Sequence, residues 1–129
     1  MDIVSALFAE NIALRPVPGP STRIDLTGIM FSMPAPTAPP VVVTPHLVVL
    51  VRCRPEEEGR GVLEVTFTDD AGEQVARNVS PFEVEPGKFT YRLVRGELEL
   101  PRLGTVEAHC RLLPDGPPTV VPLTLLPPI

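Results

Sequence analysis

HLVVLVRC (His46–Cys53), RPEEEGRG (Arg54–Gly61) and VLEVTF (Val62–Phe67) form the stretch that decides the fold. Successive side chains of an extended chain alternate sides, so Leu47, Val49, Val51 and Cys53 share one face. His46, Val48, Leu50 and Arg52 share the other. In the second run Leu63, Val65 and Phe67 point one way, and Glu64, Thr66 and Thr68 the other. Period two with β-branched and aromatic residues is the signature of half-buried strands. The charged, Gly-containing link makes the expectation a β-hairpin at the centre of an all-β domain.

Outward from this stretch the same pattern recurs between turn signals. Arg23–Phe31 reads as a strand with Ile24, Leu26 and Met30 on one face, and Gly28 marks a bulge or a close backbone approach. Asp69–Glu73 reads as a tight turn, followed by a short strand Gln74–Val79 that stops at Ser80-Pro81. Phe89, Tyr91 and Leu93 share a face; the parity then shifts to Leu98 and Leu100 after Gly96, which implies a bulge or a change of sheet. Val106, Ala108, Cys110 and Leu112 face inward in Thr105–Leu113. In Thr119–Leu126 the inward set is Val121, Leu123 and Leu125, and Pro122 assigns that strand to an edge. Residues 1–15 fit a helix or a strand; in a β context an opening strand is preferred, with Ile3, Leu7 and Ala9 on one side.

The chain of 129 residues suits one domain, 1–129, with 18 prolines marking its loops. MPAPTAPP (33–40) is a Pro-rich crossover. About seven to eight strands with turns every 8–12 residues or so point to an antiparallel β-sandwich. A net charge of −5 with one Lys and no Trp is a poor basis for binding nucleic acid. No apolar run is long enough for a membrane span. The first residues lack a basic region and carry Asp2 and Glu10, so no secretory leader is expected and the location expected is cytoplasmic.

DDAGEQVAR (69–77) resembles the strand–turn–strand of bacterial immunoglobulin-like sandwiches, and LGTVEAHCRLLPDGPPTVVPLTLLP (103–127) is similar to their closing hairpin. With ALFAENIALR (6–15) and RIDLTGIMFS (23–32), the chain resembles a family of small single-domain immunoglobulin-like proteins, common in actinobacteria, of uncharacterised function. PVPGPST (16–22) stands where that family carries a Gly-rich turn. The resemblance implies an immunoglobulin-like fold and an intracellular location, and transfers no functional residue.

Catalytic signatures are sparse. No nucleophile-elbow, phosphate-loop or dinucleotide motif is present. His46 and His109 are the two histidines, and neither has metal-ligand spacing to Cys, Asp or Glu. His109 and Cys110 point to opposite sides of one strand, so these neighbours make no nucleophilic pair; cross-strand pairs of Cys53 with His109 or Cys110 with His46 stay open. Cys53 and Cys110 are expected as buried thiols in a reducing compartment; a bridge between facing sheets would add about 4 kcal/mol. Glu56–Glu58 and Asp69–Glu73 read as solubilising loops, or as weak cation sites taken singly.

The function expected is therefore non-catalytic, with no cofactor or metal: a protein-binding or accessory module, acting with a protein partner or as a homo-oligomer. Val48 and Leu50 are the candidate interface residues, because they lie opposite the odd-numbered core set; with Val94 or Val120 they would form an apolar patch. The bland reading is that both faces of a central strand are buried. The alternative function is a small-ligand or carbohydrate-binding sandwich, for which the aromatic residues are few.

Overall fold

The computed structural model describes residues 1–18 and 22–129. Eleven strands occur among them: β1 (Asp2–Pro16), β2 (Thr22–Met30), β3 (Ser32–Pro34), β4 (Val41–Val43), β5 (His46–Arg52), β6 (Arg60–Thr68), β7 (Gln74–Glu83), β8 (Phe89–Arg95), β9 (Leu98–Leu100), β10 (Gly104–Leu112) and β11 (Thr119–Leu126). No helix is found among the described residues, and so none long and apolar enough to cross a membrane. The strands form a four-stranded sheet, β2-β1-β5-β8, a five-stranded sheet, β3-β11-β10-β6-β7, and a two-stranded sheet, β4-β9. All pairings are antiparallel except β3 with β11.

The core is a sandwich filling. Phe8, Leu47, Val49 and Val51 from the four-stranded sheet meet Leu63, Val65, Phe67, Ala108 and Cys110 from the five-stranded sheet, all 1% exposed or less. These are the alternating residues that period two requires to face one way. The small sheet adds Val41, Val43, Leu98 and Leu100 to the same core. The parity shift after Gly96 is thus a change of sheet, from β8 to β9.

Several expectations need correction. β5 and β6 are not a hairpin. β5 pairs with β1 and β8, and β6 pairs with β10 and β7, so Cys53–Gly59 carries the chain from one sheet to the other. The apolar alternation is present in both strands, but each finds its hydrogen-bond partners far away in sequence. The amide of Cys53 donates to the Lys88 carbonyl (2.9 Å) and Gly87 donates back to Cys53 (3.0 Å), extending the β5–β8 pairing instead.

In β1 the core residues are Ala6 and Phe8, not Leu7 and Ala9. A bulge between Ile3 and Ser5 shifts the register against β5, so Ile3 packs on the core while the parity beyond it is reversed. β7 continues through Pro81 to Glu83 instead of ending at Ser80; it is an edge strand, and Pro there needs no amide partner on the open side. β11 lies between β10 and β3, yet β3 pairs only with Thr124–Leu126, so Pro122 faces an unpaired stretch of edge. The strand at residues 1–15, the strand near 23–31 and the tight turn at Asp69–Glu73 are present as read. At Gly28 φ is +67° and the Glu10 side chain packs against it, but the β1–β2 register is the same on both sides, so the strand has no bulge there.

Candidate functional site

The two outer faces of the sandwich differ in chemistry. On the five-stranded sheet, Glu64 of β6 accepts hydrogen bonds from Arg77 Nη2 (2.7 Å) on β7 and Arg111 Nε (2.8 Å) on β10. These two guanidinium groups, Arg111 first, hold the Glu64 carboxyl below its ordinary range. His109 Nε2 lies 3.2 Å from Thr68 Oγ1, and the hydroxyls of Thr105 and Thr124 are 2.9 Å apart. Polar groups here are matched by neighbours across the strands, as a solvated sheet face requires.

The outer face of the four-stranded sheet is apolar. Register places Leu93, Val48 and Leu7 in one row across β8, β5 and β1, and Tyr91, Leu50 and Ser5 in the next. Ala9 and Ile29 continue it toward β2. Val48 is 2% exposed and Ala9 1%, yet neither belongs to the core between the sheets. In its row Val48 lies between Leu93 and Leu7. Leu7, Leu50, Tyr91 and Leu93 are half-buried, and Ile29 and Phe89 are exposed. The two-stranded sheet turns its apolar side, Val41, Val43, Leu98 and Leu100, to the core.

Cations rim the face. Arg52 Nη2 lies 3.0 Å from Asp2 Oδ2, and Arg54 Nη2 3.3 Å from the same oxygen. Hydrogen bonds from Arg52 and then Arg54 hold the Asp2 carboxyl below its usual range. Arg95 stands opposite His46 at the other end.

The structure therefore separates the residues grouped from sequence. Val48 and Leu50 do lie on the outer side of β5, adjacent in the sheet. Val94 is 3% exposed in the core, and Val120 lies on the five-stranded sheet, so neither joins them. The companions missed are Leu7, Tyr91 and Leu93. Their signal is present in the Phe89–Tyr91–Leu93 alternation, but alternation does not say which side is outward.

The chemistry-bearing groups sit elsewhere. Cys53 and Cys110 are free and buried, and burial pushes the Cys110 thiol up to about 12. Cys53 Sγ lies 3.5 Å from the Arg54 carbonyl oxygen. Glu57 accepts from the Arg54 amide (3.0 Å) and pairs with the terminal amine. Asp69 accepts from Ala71 (2.9 Å) and Glu73 (3.0 Å) within its own turn, and Arg102 lies 2.9 Å from Asp70. Among the described residues no three His, Cys, Asp or Glu converge as metal ligands do. A depression of about 690 Å³ is lined by Arg60, Gly61, Val62, Pro81, Phe82, Glu83 and Leu113. Its charged pair, Arg60–Glu83 (3.8 Å), stands 81% exposed on both sides.

With both cysteines buried, a soluble disulfide reagent at mild alkaline pH is expected to label neither until the chain unfolds. The native state holds the Cys110 proton to about 12, whereas the unfolded thiol loses it near 9.0. The native state then binds more protons across that window, so stability falls as pH rises from about 9 toward 12. Rapid stoichiometric labelling of the folded protein would contradict the burial.

Compared with protein-family models and with curated proteins, the chain matches none.

Proposed function

We propose that this protein is a non-catalytic binding module that docks another protein on the outer face of its four-stranded sheet. The observation that carries the reading is the pair of rows Leu93–Val48–Leu7 and Tyr91–Leu50–Ser5, apolar except for Ser5 and outside the core. A sheet face without a covering layer is ordinarily polar, and the opposite sheet follows that rule; a contiguous apolar patch marks an interaction site. Half-buried Tyr and Leu side chains flanked by Arg suit a partner whose apolar centre is bordered by carboxylates. Antiparallel pairing and the crossing of the chain between sheets after β5 support an immunoglobulin-like sandwich. Two buried, unpaired thiols support a reducing compartment such as the cytoplasm. The small-ligand reading has less behind it: the depression near Arg60 offers one ring, Phe82, which is 7% exposed.

Lys at Val48 is a poor probe, because that side chain is sealed and its replacement mixes lost binding with lost stability. Leu50→Lys with Leu93→Lys is the better test, since both side chains already reach solvent. A partner retained by tagged wild type from host lysate is expected to be lost with the double variant, while the thermal midpoint stays near that of wild type. Undiminished capture by the folded variant would remove this face from consideration.

A further inference from the structure

The far half of the β1–β2 hairpin projects beyond the sandwich. Phe8 and Ala9 are the last residues of β1 that are 1% exposed; from Glu10 to Pro16 every residue but half-buried Ile12 is exposed. Register sets Ile12 opposite Leu26 and Leu14 opposite Ile24, an apolar strip along one side of this arm. Leu14 is 52% exposed and Ile24 36%. A two-stranded ribbon of this kind is marginal in water unless something packs on it or extends it.

β2 is also the open edge of its sheet, and it lacks the protection the other edges carry. β3 is three residues long and ends in Pro34. β7 carries Pro81. β8 turns half-buried Arg92 toward the core side, opposite Val49. Proline, shortness and inward charge each discourage edge pairing. β2 has nine residues without Pro or Lys.

Its charges are unbalanced within the arm. Arg15 lies directly across from Arg23, like charge against like charge. Asp25 relieves Arg15, accepting from Nε at 3.0 Å and Nη2 at 3.2 Å. Among the described residues Arg23 has no carboxylate partner.

We propose that β2 pairs antiparallel with β2 of a second copy of this chain, centred on Ile24. Centring there sets Arg23 of each copy opposite Asp25 of the other, twice by symmetry. Centring on Arg23 or Asp25 sets like charges face to face, and centring on Leu26 sets Arg23 against Ile29. One carboxylate between two guanidinium groups is an arrangement this chain already uses, at Glu64 with Arg77 and Arg111. The two Ile24 side chains meet on the axis and extend the apolar strip. Because paired residues share a face, both outer apolar faces lie on one side of the resulting eight-stranded sheet. The dimer stands on the arm alone and does not depend on the proposed partner surface.

Sedimentation equilibrium of the full chain tests it, with Arg23→Asp and Asp25→Arg as separate variants. Wild type is expected to dimerise, and each variant to weaken the dimer about tenfold or more, since both symmetric pairs become repulsive. An equimolar mixture of the two variants restores opposite charges at every pair, so it is expected to form a one-to-one heterodimer. That recovery also shows that both variants fold. Ile24→Cys is expected to link to its symmetry mate on mild oxidation, because facing residues lie about 4.5–5.5 Å apart, within disulfide reach. Val120→Cys, on the other sheet, is expected not to link. Three results would each overturn the proposal: a wild type that is monomeric at millimolar concentration, a dimer indifferent to both charge reversals, or an Ile24→Cys variant that links no faster than the Val120→Cys variant.

Discussion

Phe67→Ala is expected to lower the unfolding free energy by about 3–5 kcal/mol, toward the upper end of that range. The ring is 1% exposed, on β6 between β10 and the edge strand β7. Its register neighbours are Ala108 on β10 and Ala76 on β7, both too short to close the space it leaves. Behind it lies Gly96, where even a Cβ would sit 3.1 Å from the Phe67 Cζ. Large-to-small changes cost most where the surroundings cannot collapse, and three small neighbours leave little to move inward. In urea the midpoint should fall by more than about 1 M, given slopes of about 1–3 kcal/mol/M for small proteins. Val79→Ala, at a side chain 42% exposed, is the control, with a change within about 0.5 kcal/mol. A Phe67→Ala loss as small as the control's would mean that the core is repacked around the gap.

Gly59→Ala and Gly72→Ala form a matched pair with different expected outcomes. Both glycines hold nearly the same backbone angle, φ +81° and +80°. An alanine at either pays the left-handed penalty of about 1–2 kcal/mol. At Gly72 nothing lies within 4 Å of the added carbon. At Gly59 that carbon would overlap the carbonyl oxygen of Val84, a backbone atom. The Val84 amide also donates to the Gly59 carbonyl at 2.8 Å, so relief by movement breaks a hydrogen bond worth about 1 kcal/mol. Gly59→Ala should therefore lose about 3 kcal/mol, and Gly72→Ala roughly half of that or less. Chemical denaturation of the two variants checks this; equal losses would show that the crossover before β6 is slack. The crossover matters because Gly59 is where the chain enters the second sheet.

That crossover also marks the limit of what local pattern conveys. The alternation in HLVVLVRC and VLEVTF identifies two strands and their core residues, and both sets are buried as read. It does not identify their partners. A charged link of this length serves a hairpin or a passage between sheets equally well; hydrogen bonding of β5 to β1 and β8 decides between them. In β1 one extra residue at the Ile3/Ser5 bulge reverses the parity, moving Leu7 and Ala9 to the outer face. A bulge is a property of the pairing, so no reading of β1 alone locates it.

Period-two alternation by itself determined that this chain is all-β, that Leu47, Val49, Val51, Leu63, Val65 and Phe67 fill one core, and that Val48 and Leu50 lie opposite it. Those conclusions rest on side-chain geometry within single strands, which residue order specifies directly. Only the tertiary structure decided that Val48 is sealed while Leu50, Tyr91 and Leu93 stay accessible, that Val94 and Val120 belong elsewhere, and that the β1–β2 arm outreaches the sandwich. Each depends on which distant strands lie side by side and where the facing sheet ends, and those are relations between segments that the order of residues within any one strand does not contain.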